Sequence, residues 1–146
     1  MIKKIDHINI VVRDLEKAKQ FFLDLGFIDM HKEGLLEGAS IEQLTRLKNV
    51  KANYCTFSFQ NSQTNIELIQ YQSPEDHAES SISKPNHIGI RHIAFEVEDI
   101  EKVVGELKKK NVSFFSEIQE YKPTKKKLCY FYGPEEIILE LAEYEK

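Results

Sequence analysis

No apolar run in the chain approaches the roughly 20 residues that a membrane-spanning helix needs. Met1-Ile2-Lys3-Lys4-Ile5 leads straight into a strand-like stretch without a signal-peptide core. A membrane partner is therefore not expected, and a cytoplasmic location is. Cysteine is scarce. Cys55 and Cys129 are too few and too far apart for a disulfide scaffold or a CxxC site, and both read as reduced strand residues. A dominant charge is also missing: 24 acidic against 20 basic residues leave a net charge of −4, with the signs interspersed. Nothing in that balance attracts nucleic acid or an anionic surface.

What remains is 146 residues with 41% hydrophobic content, enough for one domain or for two small repeated units. Ile5 to Val12 is an apolar, β-branched run and reads as a strand. Asp14 suits an N-cap, and Leu15, Ala18, Phe21, Phe22 and Leu25 recur at helical spacing until Gly26. Phe27 to Lys32, Ala52 to Phe59 and Asn65 to Tyr71 read as strands, which gives a β-α-β-β-β unit. Between them, Gly34 to Asn49 holds a short amphipathic helix, with Ser40 and Gln43 at capping-box spacing and Ile41, Leu44 and Leu47 on one face. Gln72 to Gly89 is polar and reads as a linker, with His77 and His87 as exposed loop residues.

The unit then repeats. At an offset of 92 − 7 = 85, His7 matches His92, Val12 matches Val97, Asp14-Leu15-Glu16-Lys17 matches Asp99-Ile100-Glu101-Lys102, and Gly26 matches Asn111. The second helix has Ile100, Val103 and Leu107 inward, and strands follow near Val112 to Phe115, Leu128 to Tyr132 and Glu136 to Ala142. Toward the end of each unit the offset becomes 140 − 67 = 73, matching Glu67 to Glu140. The difference, 85 − 73 = 12 residues, falls in Gly34 to Asn49, which is read as an added lid. The expected organisation is one domain over 1–146: a first module of about 1–72 with an inserted helix at 34–50, a linker at 73–89, and a second module of about 90–146.

Each module puts a His on its first strand and a Glu on its last. By period-2 alternation His7 and His92 point away from the helix-packed face, and Glu67 and Glu140 stand out from Ile and Leu neighbours in the same sense. Any one of them alone is an ordinary strand residue. The quartet at repeated positions reads as a mixed N/O ligand set for one divalent ion, Ni, Co, Zn, Mn or Fe, with coordination positions left for water or substrate.

The stretches "DHINIVVRDLEKAKQFF", "IELIQY", "RHIAFEVEDIEKVVGEL" and "IILELAE" resemble the vicinal oxygen chelate superfamily, which includes glyoxalase I, methylmalonyl-CoA epimerase, extradiol dioxygenases and bleomycin or fosfomycin resistance proteins. The resemblance covers essentially the whole chain. It implies an α+β fold in which two tandem βαβββ modules form a U-shaped mixed sheet around a metal, with His7, Glu67, His92 and Glu140 at the four ligand positions. It further implies an isomerase or lyase that takes a proton next to a carbonyl and stabilises an enediolate or enolate. Glu140 is the first choice for the base and Glu67 the second, and the substrate is a small carbonyl or thioester compound. Glyoxalase I usually has Arg four residues after its first ligand, where this chain has Val11, and no glutathione-anchoring pattern is present. Methylmalonyl-CoA epimerase commonly has Gln at the second ligand and an acidic base on the third strand, whereas Ala52 to Phe59 holds no acid, and Glu42 on the inserted helix reads as a solvated surface residue before it reads as a substitute base. The alternatives are a small-molecule binding or resistance protein and an Fe(II) dioxygenase, for which Glu67 fills a position usually open. The run Lys122 to Lys127 reads as a solvated hairpin before it reads as a phosphate grip. A homodimer is expected from the sheet edges, with the four ligands drawn from one chain or exchanged between two.

Overall fold

A computed structural model describes residues 2–60, 62–78, 84–86 and 88–145. The chain divides into two compact units, Met1–Ala78 and Glu79–Lys146. His87 and part of the polar linker, 79–83, lie outside the described residues.

The first unit runs β1 (His7–Val11), α1 (Leu15–Asp24), β2 (Ile28–Glu37), α2 (Ala39–Thr45), β3 (Lys51–Ser58) and β4 (Asn65–Ser73). Its sheet has the order β1-β4-β3-β2, with β1 parallel to β4 and the other pairs antiparallel. The second unit runs β5 (His92–Glu96), α3 (Ile100–Lys109), β6 (Gln119–Tyr121), β7 (Lys126–Tyr132) and β8 (Ile138–Tyr144), in the sheet order β5-β8-β7-β6. Both units are therefore βαβββ, and the α+β class is the one expected.

The helices start where the side chains allow. Asp14 and Asp99 are extended residues whose carboxylates accept the backbone N–H of Lys17 and Lys102, each at 2.9 Å. A left-handed residue closes each helix region, Gly26 (φ 91°) in the first unit and Asn111 (φ 61°) in the second, two residue types that adopt this conformation at low cost. The buried face of α1 is Leu15, Ala18 and Phe22. Phe22 is fully buried, edge-on to Phe27 and stacked at 6.2 Å on Phe57 of β3. On α3 the fully buried residues are Ile100, Val104 and Leu107, and Val103, expected inward, is half-buried at the edge of the same face. Cys55 and Cys129 lie on the same apolar side, unpaired and buried, and burial pushes each thiol up to about 11.

Three expected elements differ. β2 does not stop at Lys32. A register shift between Asp29 and Lys32, with His31 in a left-handed conformation, lets the strand resume and pair with β3 as far as Glu37. The insertion is thus a longer strand followed by α2, which starts at Gly38 (φ 93°) without a side-chain cap, so the Ser40 and Gln43 box is not formed. Leu44 is 80% exposed and Leu47 is exposed too, so only Ile41 of the apolar face of α2 is partly covered. Finally, Val112 to Phe115 yields a single bridge, Phe114 to Phe131, and the strand beside β7 is the three-residue β6. No helix among the described residues is long and apolar enough to cross a membrane.

At the β2 irregularity, the Asp29 carboxylate accepts the His31 N–H at 2.7 Å and pairs with Lys19 at 3.0 Å, which together hold its pKa below the ordinary value of 3.8. A depressed carboxylate stabilises the fold above its unfolded pKa, and that contribution is lost as pH falls through the folded value. Asp29→Asn should therefore be less stable than the parent at pH 7 and lose less further stability between about pH 4 and pH 2. Urea unfolding across that range measures it; parallel curves for the two proteins would refute the assignment.

Candidate metal centre

The parallel strand pairs fix the position of each His relative to its Glu. In the first unit Asn9 is level with Glu67, and His7 is level with Asn65, one pair along on the same face. In the second, Ala94 is level with Glu140 and His92 with Ile138. The registers match position for position through the repeat, so each unit brings its His and Glu together. His7 Nε2 lies 3.7 Å from Glu67 Oε1, and His92 Nε2 lies 3.2 Å from Glu140 Oε2.

What surrounds the two pairs differs. Asp6 Oδ2 accepts from His7 Nδ1 at 3.0 Å, which assigns the proton to Nδ1 and leaves the Nε2 lone pair on the Glu67 side. That hydrogen bond, with a smaller attraction from Glu67, raises the His7 pKa against the opposing effect of burial. Asn9 Nδ2 donates to Glu67 Oε1 at 3.0 Å, so the first carboxylate is held by a neutral amide. The second is held by a cation: Lys126 Nζ donates to Glu140 Oε1 at 3.1 Å, and the bond raises the lysine pKa. Glu140 is 4% exposed, the one buried charged or polar side chain among the described residues, between Leu139 at 0% and Leu141 at 2%.

The sequence makes Lys126 part of a basic run that suggests a solvated hairpin. Instead it faces the site, and its neighbour Lys127 pairs with Glu101 at 2.7 Å, so the run is not a free basic patch. The parity signal was present: Lys126 and Tyr130 are four apart on β7, and Tyr130 is level with Glu140. Register was needed to use it. Tyr130 tilts against the His92 ring at 5.2 Å, and Phe115 meets both Tyr130 and Tyr132, so an aromatic wall flanks the second pair. In the first unit Thr56 is level with Glu67 instead.

The donor set suits a divalent transition metal: imidazole nitrogen and carboxylate oxygen, one of the imidazoles with its other nitrogen tied to an acid. A second acidic group, Asp99, Glu101 and Glu143, brings its oxygens within 4.8 Å of one another. Its members are already engaged at the start of α3. Asp99 caps Lys102, Glu143 accepts the Ile100 N–H at 2.7 Å, and Glu101 binds Lys127.

Duplicated βαβββ units with a His and a Glu at matching places define a fold of the vicinal oxygen chelate kind. The family model of the Glyoxalase/Bleomycin resistance protein/Dioxygenase superfamily matches residues 4–141, and the chain belongs to that superfamily. It is 29% identical over 143 residues to the uncharacterized protein YwkD of Bacillus subtilis, with 98% of each chain covered. It is 28% identical to the uncharacterized protein YaeR of Escherichia coli, with 97% of each covered. Among solved structures it resembles a glyoxalase family protein from Bacillus cereus, with a TM-score of 0.89, 27% identity, and 98% and 95% of the two chains covered.

Removing a buried carboxylate leaves its partners uncompensated, at a cost of about 3–5 kcal/mol, whereas a half-exposed, amide-held carboxylate is worth about 1 kcal/mol or less. In metal-free protein, Glu140→Ala should thus lower stability far more than Glu67→Ala. Chemical denaturation reads the difference, and equal losses would contradict the unequal burial.

Proposed function

We propose that the protein is a divalent-metal-dependent isomerase or lyase of the glyoxalase I or methylmalonyl-CoA epimerase type, acting on a small carbonyl or thioester substrate. The ligands are His7, Glu67, His92 and Glu140, and the ion is Ni, Co, Zn, Mn or Fe. The observation that carries this reading is the matched register of the two His and Glu pairs, since a duplicated strand pair has no structural need for the same two polar residues on the same face twice. A metal bound there would supply Lewis acidity to a substrate carbonyl.

The chain's own residues do the rest. Asp6 keeps the Nε2 lone pair of His7 available, Asn9 orients Glu67, and Lys126 orients Glu140. Glu140, or in second place Glu67, takes the proton next to the carbonyl. Its buried setting excludes the water that would otherwise solvate it. The wall of Tyr130, Tyr132 and Phe115 supports an apolar part of the substrate beside His92. Glu42, half-buried in the first turn of α2, is the acid an epimerase-type reaction would draw on.

One observation favours a second reading. Lys126 neutralises Glu140 without any metal, as a non-catalytic small-molecule binding or resistance protein would require. The two readings separate on metal content and turnover. Protein loaded with each of the five ions should retain at least one of them after dialysis, measured by elemental analysis, and should turn over a hemithioacetal or an acyl-CoA epimer. Glu140→Gln, which keeps the shape but removes the charge, should then lower kcat by roughly a hundredfold or more in the folded, metal-loaded protein. Retention of none of the ions, with ligands protecting the metal-free protein against heat, would replace the first reading by the second.

A further inference from the structure

We infer that Lys126 is a built-in competitor of the metal: its ammonium group is the counter-charge of Glu140 in the metal-free protein, and it weakens metal binding at the same carboxylate. The inference rests on the reading of Glu140 as a ligand, and goes beyond it by assigning a role to a residue outside the ligand set.

Glu140 is buried, and an ionised carboxylate cannot be left there without compensation. Its two oxygens are divided between Lys126 on Oε1, at 3.1 Å, and His92 on Oε2, at 3.2 Å. The imidazole is a ligand that stays useful when a metal arrives. The ammonium is not: it has no lone pair, and it is a positive charge drawing on the carboxylate that must attract the dication. Two cations that share one anion each reduce the other's hold, and by linkage whatever the lysine contributes to the metal-free state is taken from the affinity for the metal.

The molecule carries its own control. In the first unit the equivalent carboxylate, Glu67, is oriented by the neutral amide of Asn9, and the residue that corresponds to Lys126, level with Tyr71 as Lys126 is level with Tyr144, is Ala52. In the second unit the place of Asn9 is taken by Ala94, which cannot donate. The same strand frame thus orients a carboxylate without a cation. The lysine is an addition confined to Glu140, and its Nζ also lies 5.9 Å from the Tyr144 ring, which fixes it over the strand.

The test is a calorimetric titration of the full-length, metal-stripped protein with Co(II) and with Ni(II), paired with thermal unfolding in the presence and absence of each ion. Lys126→Met should bind the ions about tenfold or more tightly than the parent, and its thermal midpoint should fall without metal and rise by more degrees on adding metal. Lys126→Arg, which retains the charge, should behave as the parent does. If Lys126→Met does not fold without metal, the affinity is read on Lys126→Met combined with Ala94→Asn, which rebuilds the neutral hold found at Glu67. Equal or weaker metal binding by the neutral variants would overturn the inference and leave the metalloenzyme reading standing. Binding by the variants and not by the parent would support the inference and overturn that reading. Binding by none of them would overturn both.

Discussion

A carboxylate buried in a central strand is costly unless its charge is answered, and the structure of the second unit is arranged around that requirement. Glu140 stands between Leu139 and Leu141, both almost completely buried. Its face of β8 is served by one residue from each neighbouring strand, His92 from β5 and Lys126 from β7. The parallel pairing of β5 with β8 brings the imidazole alongside, and from its place level with Tyr144 the lysine reaches back along β8 to Glu140. Apolar residues on the other face, packed beneath α3, supply the burial that holds this polar arrangement in a single geometry.

The same strand frame explains why the sequence revealed so much of the fold. Helix starts depend on one local interaction, and Asp14 and Asp99 announce it within three residues. Strand faces depend on alternation, so the side on which His7, Glu67, His92 and Glu140 lie could be read from their neighbours. The offsets of 85 and 73 between the repeats survive in the register itself, where Asn9 and Ala94 are level with the two Glu residues. These are short-range or periodic properties, and periodicity is visible in a single chain.

What could not be read depends on pairing between strands. Lys126 sits in a run of lysines whose composition suggests solvent, and strand parity separates it from Lys125 and Lys127 without saying which face holds the site. Only the alignment of Tyr130 with Glu140 places it at the site. The end of β2 was hidden for a related reason: a bulge near His31 breaks the alternation just where the strand resumes. The Ser40 and Gln43 spacing pointed to a capping box, yet the chain reaches α2 through Gly38, whose positive φ sets the entry without a side-chain oxygen. In each case a tertiary constraint outweighed a local signal.

Duplication makes the two carboxylates equivalent in position, and their neighbours make them unequal in chemistry. Glu67 has an amide beside it, a histidine whose second nitrogen is tied to Asp6, and Thr56 level with it on β3. Glu140 has a cation, a histidine tilted against Tyr130, and deeper burial. The first pair is set among small polar groups and the second against aromatic rings. The repeated frame fixes where the donors are, and the few residues that break the repeat, Lys126 foremost, decide what each donor can do.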